Sequence, residues 1–181
     1  MLVLNVAAHE GLNEQTNEFV YTDACELHLE HSLIAISKWE SKHHKIFLDG
    51  EHKSDFEIRD YARCMCLDKN IDQKVWALLS PRDIMRIMEY IDDPMSGTTF
   101  GHDDSNNDGH SEKLSSELIY YYMTAHKVPF SCEKWHLNRL LILLKICGIK
   151  NNPDSKPKAT QSQLLNKYAS IHAAKKKARK P

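Results

Sequence analysis

Cys64-Met65-Cys66, with His43-His44 upstream and Cys132-x-x-x-His136 downstream, is the one set in this chain from which a metal site could be drawn. Structural zinc sites use paired ligands of the Cys-x₂₋₄-Cys kind, which let two side chains of one short segment close on the same ion. Here one pair has a single-residue spacer and the other is a mixed pair at helical i, i+4 spacing, so the thiols read as small buried hydrophobes. Cys132 and His136 could also be drawn as nucleophile and base, but no third group to orient the base and no oxyanion donor can be picked out. Asp104-Ser-Asn106-Asn-Asp108-Gly109 has the acids of a calcium loop, yet loop position 12, which needs a bidentate Glu, falls on Ser115. No glycine-rich phosphate loop, paired-glycine fingerprint or serine elbow occurs, which argues against an NTPase or a serine hydrolase. The chemistry-bearing residues therefore lead to an expectation of no enzyme, no catalytic residue, no cofactor and no metal.

Charge is the strongest pattern. From Lys150 to Pro181 there are nine Lys/Arg against the single acid Asp154, a net +8. Since the whole chain carries −1, residues 1–149 carry about −9: an acidic body with a basic arm. Such an arm reads as a solvated segment, as a ligand for an acidic protein surface, or as a phosphate binder; it has no recognition helix with interleaved aromatics beyond Tyr168, which argues against nucleic acid. The longest apolar stretch, Leu140–Leu144, is far short of the roughly 20 residues needed to span a bilayer, so no membrane partner is expected. The N-terminus lacks a basic region and a long apolar core, and five cysteines make an odd count, so the expectation is a cytoplasmic product with reduced thiols.

The elements that must position these residues follow from periodicity. Leu2, Val3, Leu4 and Val6, then Phe19–Tyr21, Leu27 and Leu29, predict a small N-terminal sheet or hairpin within 1–31. Ser32 caps a helix over 32–43, with Leu33, Ile36 and Trp39 three apart. Ser54-Asp-Phe-Glu57 is a capping box opening a helix over 55–69, and a short segment follows around Val75–Leu79. Ser80-Pro81 then opens the cleanest helix, with Ile84, Ile87, Met88 and Ile91 at i, i+3, i+4, i+7. An exposed loop is expected between Pro94 and Glu112. Ser115 or Ser116 caps the next helix, with Leu118, Ile119, Tyr122 and Met123, before a turn at Val128-Pro129-Phe130. Ser131 is predicted to cap a buried central helix from Cys132 to Cys147, closed by Gly148 at C′. A last amphipathic stretch, Thr160 to Ile171, precedes the Lys-rich end. The fold class expected is mainly α: a single helical domain over 1–149 with a small N-terminal β element (α+β), and the basic, partly helical or disordered arm 150–181.

Met85 and Met88 on the cleanest helix, and Leu164, Leu165, Tyr168, Lys175, Lys176, Lys177 and Arg179 in the arm, are the candidate partner contacts. Methionine is flexible and polarisable enough to serve a promiscuous apolar groove, although it is more often simply core.

Two blocks carry a resemblance: Glu30-His-Ser32 through Ser37-Lys38-Trp39-Glu40-Ser41-Lys42, and Ser116 through Tyr121 running to Val128-Pro129-Phe130 and Glu133-Lys134-Trp135-His136-Leu137-Asn138-Arg139-Leu140. With Ile91-Asp92-Asp93-Pro94-Met95 and the Lys-rich end, they resemble small proteins of the tail-morphogenesis region of tailed bacteriophages, similar to tail assembly chaperones encoded ahead of the tape measure protein. The resemblance covers most of the chain from Leu27 onward; His43 and Ile46 depart from it where relatives have tryptophan and proline. It implies a late protein of the host cell cytoplasm that binds the tape measure protein, and the tail tube protein as a further contact, with self-association as a homo-oligomer allowed. A long helix with apolar stripes aggregates unless the stripe is covered, which a groove can do. Ser37, Lys38, Trp39, Glu40, Glu133, Trp135, His136, Asn138 and Arg139 would then be a structural motif of the family, within which Trp39, Trp135, His136, Asn138 and Arg139 would hold helices together. Such chaperones occur in short and frameshifted long forms, and Lys175-Lys176-Lys177 requires A-rich codons. The alternatives are a structural virion protein, such as a tail completion or connector component, and a nucleic-acid-binding accessory protein.

Overall fold

Leu4 and Val6 alternate with exposed neighbours, the period that buries one face of a strand, and they form β1 (Leu2–Val6). The computed structural model describes residues 1–13, 18–98 and 113–151. β1 pairs antiparallel with β4 (Cys25–Leu29), from Leu2↔Leu29 to Val6↔Cys25. β2 (His9–Asn13) pairs with β3 (Glu18–Thr22), from His9↔Thr22 to Asn13↔Glu18. Partner numbers sum to 31 in both ladders, so the two sheets are halves of one long hairpin ribbon, interrupted at residues 7–8 and 23–24. The N-terminal β expectation holds, and the strand β2, which has little apolar signal, is added to it.

Contacts gather into two compact units. The first comprises Met1–His31 and Lys53–Ile91. In it α2 (Asp55–Met65) opens with the expected capping box: Ser54 Oγ accepts from the Glu57 N–H at 3.3 Å, and the Glu57 carboxylate accepts from the Ser54 N–H at 2.8 Å. The helix stops at Met65, short of the expected 69. Beyond it the backbone pairs with β4 instead, the Glu30 N–H donating to Met65 O and the Leu67 N–H to His28 O, each at 2.9 Å. α3 (Gln73–Leu78) ends with carbonyls that no helical amide can reach; the Arg59 guanidinium donates to those of Trp76, Ala77 and Leu79. α4 (Pro81–Ile91) begins where Ser80-Pro81 places it, with a second reciprocal cap between Ser80 and Asp83. Ile87 and Ile91 are buried with Leu4, Leu27 and Leu29 in the core of this unit, each such side chain contributing about 1.5–3 kcal/mol.

The second unit comprises Ser32–His52 and the described residues from Asp92 onward. α1 (Leu33–His43) is capped by Ser32, whose Oγ accepts from the Ala35 N–H, and closes on His44 in the left-handed region at φ 52°. α5 (Ser116–Ala125) is capped by Ser115. The helix expected over Cys132–Cys147 is corrected at both ends: Phe130–Lys134 is a 3₁₀ turn, and α6 runs Leu137–Asn151. Ser131 is therefore no cap. Trp135 is extended and His136 bridges to Ser32, so the α-helix restarts at Leu137, and the His136 ring Nδ1 accepts from the Asn138 N–H at 3.3 Å. Gly148 lies inside α6 and not at C′, because the helix continues to Asn151. Leu137, Leu140, Leu141 and Leu144 are buried.

The fold is mainly α with a small N-terminal β element. No helix among the described residues is long and apolar enough to cross a membrane. Most of the expected 94–112 loop, including Phe100 and Asp104–Gly109, and the arm beyond Asn151, including the Thr160–Ile171 stretch, lie outside the described residues.

Candidate functional site

The block around Trp39 lies on α1. Trp39 is fully buried, stacked on His43 with centroids 4.3 Å apart and meeting the edge of Phe47 at 5.1 Å. Glu40 is 8% exposed, and both carboxylate oxygens are engaged at 2.8 Å: Oε1 accepts from the Phe47 N–H and Oε2 from the Ser116 N–H. One carboxylate thus ties the turn after α1 to the start of α5, where the helix's unsatisfied amides and positive end favour a negative charge. Ser37 is half-buried and Lys38 exposed.

The block around His136 is bound up in the same way. Arg139 lies over the Trp135 ring at 4.6 Å, the Asn138 amide donates to Asp93 O at 2.7 Å, and the Tyr120 hydroxyl donates to Glu133 at 2.8 Å. Burial, together with the Glu133 carboxylate, pushes the Tyr120 hydroxyl above its ordinary pKa. In this unit the segments 32–42 and 116–140 are joined by Glu40 to Ser116 and by the Ser32–His136 bridge.

In the first unit, thiol, imidazole and carboxylate side chains gather around Asp68. The His28 N–H donates to Asp68 Oδ2 at 2.7 Å and the His28 ring Nδ1 lies 3.0 Å from Oδ1, while Cys66 Sγ is 3.8 Å from Asp68 Oδ2. The His28 amide holds the Asp68 carboxyl below its ordinary pKa. Burial pushes both Cys66 and Cys25 up, with the Asp68 charge adding to the effect on Cys25, so these thiols stay protonated at neutral pH and are poor nucleophiles. No two of the five cysteines are bonded to each other, and among the described residues no group of three or more His, Cys, Asp or Glu is placed to hold a metal ion.

The candidate contacts separate. Met85 stands 62% exposed on α4 and Met88 is half-buried, whereas Met65 and Met123 are core. Leu164, Leu165, Tyr168, Lys175, Lys176, Lys177 and Arg179 lie outside the described residues. Sequence reasoning passed over two features. Phe19 and Tyr21 stand 77% and 60% exposed on the β-ribbon, which their alternation with Val20 and Thr22 could have flagged. The double acceptance by Glu40 has no sequence signal, since its partners are seven and 76 positions away. Scans against protein-family models, curated proteins and solved structures each find no match to this chain.

Proposed function

We propose that this protein is a non-enzymatic assembly chaperone of tailed bacteriophages that covers the apolar stripe of a long helical client, the tape measure protein, until tail tube subunits polymerise around it. The observation that carries the reading is the pair of sequence blocks at Glu30–Lys42 and Ser116–Leu140, which resemble that group of proteins. The geometry is compatible with it. Two carboxylates of those blocks join separate elements, Glu40 the turn after α1 to the start of α5 and Glu133 the 3₁₀ turn to α5, and an adaptable side chain, Met85, is held out on α4 with Met88 one turn away. A methionine on a helix face can follow the varied side chains of an amphipathic client without a fixed fit.

Co-expression with the tape measure protein of the same phage tests the reading. Soluble client should rise with the chaperone and fall back with Met85→Ser, while the thermal melt of the chaperone is unchanged. Client that stays insoluble in both cases sinks the proposal. Mass spectrometry of purified virions separates the structural alternative, because a chaperone leaves before the particle is finished. Salt-sensitive retention on DNA would favour the nucleic-acid reading instead.

A further inference from the structure

Among the described residues, one face of the outer half of the hairpin ribbon stands open at Glu10, Phe19 and Tyr21. Pairing sets Glu10 opposite Tyr21 and Leu12 opposite Phe19, so these four positions share a face. Phe19 and Tyr21 are the exposed aromatics noted above, Glu10 is exposed beside them, and the Tyr21 hydroxyl donates to Asp23 at 2.9 Å. On the other face Thr22 is buried, and α3 packs against β3. Among the described residues β2 and β3 pair only with each other, which leaves a row of backbone donors and acceptors along each outer edge. The side-chain charge of the ribbon has one sign, six carboxylates and no Lys or Arg in residues 1–31, and the ammonium of Met1 is paired with Glu30 away from the outer half.

We propose that this acidic, aromatic half-ribbon is a docking surface for a cationic, extended segment of a partner polypeptide. The sign of the charge selects the occupant. Nucleic acid and an anionic membrane are repelled, and a second ribbon would set like charge against like. A Lys/Arg-bearing strand meets three complementary features together. Its backbone can add to a free edge, its cationic heads reach Glu10 and Asp23, and its aliphatic stems and guanidinium planes lie over Phe19 and Tyr21. The inference stands apart from the tail-assembly reading, since it rests on the ribbon alone.

The chain's own residues 160–180, with six Lys/Arg and no acid, provide a probe of the required chemistry. The experiment measures fluorescence anisotropy of that labelled peptide against the full-length protein, at about 20 mM and about 300 mM salt. Binding is expected at low salt and weakens at high salt. Phe19→Ser with Tyr21→Ser, which leaves every charge in place, should bind about tenfold more weakly, and Phe19→Tyr with Tyr21→Phe should restore it. Glu10→Gln with Asp23→Asn should bind more weakly and with a flatter salt dependence, whereas Glu89→Gln with Glu117→Gln, the same charge removed elsewhere, should not. No binding at low salt overturns the proposal. So does binding that the serine pair leaves unchanged, which would be charge attraction without the ribbon face. Salt-labile oligomers of the chain that the serine pair abolishes, without probe binding, would name a second copy as the occupant and overturn it equally.

Discussion

A single carboxylate, Glu40, holds two backbone amides that are distant in sequence, and removing it leaves both without that acceptor. Glu40→Ala should cost about 2–4 kcal/mol in chemical denaturation, and Glu40→Gln, which keeps one side-chain carbonyl, clearly less. Equal losses would mean that the negative charge, and not the number of acceptors, carries the effect. Asp68 gives a pH-dependent counterpart. Its pKa is depressed in the folded state, so its contribution is present above the ordinary aspartate value of about 4 and is lost as pH falls through the lower folded value. Asp68→Asn should therefore be less stable than the unmodified protein in chemical denaturation near neutral pH, by about 0.5–1 kcal/mol, with the gap closing below about pH 4. A gap that stays constant across that range would show that the carboxylate charge is not the cause.

At the scale of elements, the same capping chemistry starts α2 and α4, and each cap satisfies amides that the helix itself cannot reach. Ser54→Ala and Ser80→Ala should each lower stability by about 1 kcal/mol, readable as a fall in Tm. Gly148 discriminates between two geometries of α6. A C′ glycine in the left-handed region is harmed by alanine, whereas a glycine inside a helix is improved by it. Since α6 runs through this position to Asn151, Gly148→Ala should stabilise the protein by about 0.5–1 kcal/mol in urea unfolding. Destabilisation would restore the earlier end that the sequence pattern suggests.

The molecule as a whole divides its charge. The first 31 residues are purely acidic among fully charged side chains, residues 150–181 carry +8, and the formal net charge is −1. Such a chain has little self-repulsion near neutrality. Its turbidity should peak close to pH 7 and fall on adding salt, because the attraction is between oppositely charged regions of different copies. A chain ending at Lys150 keeps the acidic excess and should stay clear under the same conditions.

Local rules made much of this protein legible. The caps at Ser32, Ser54, Ser80 and Ser115 and the alternation of Leu2–Val6 depend on neighbours within a few positions, and the structure places those elements where the pattern does. The end of α2, the restart of the chain as α6 at Leu137 and the position of Gly148 were not legible. At the first two the apolar spacing is compatible with a longer helix, and the choice is made by pairing with distant backbone, Met65–Leu67 against β4 and His136 against Ser32, whereas at Gly148 α6 runs on to Asn151. The sites divide in the same way. The resemblance nominated Trp39, Glu40 and His136 and residue type nominated Met85, but what each touches, and that Phe19 and Tyr21 stand open on a ribbon, follows only once long-range contacts decide which side of each element is covered. Periodicity states which residues share a face; tertiary packing alone states which face meets water.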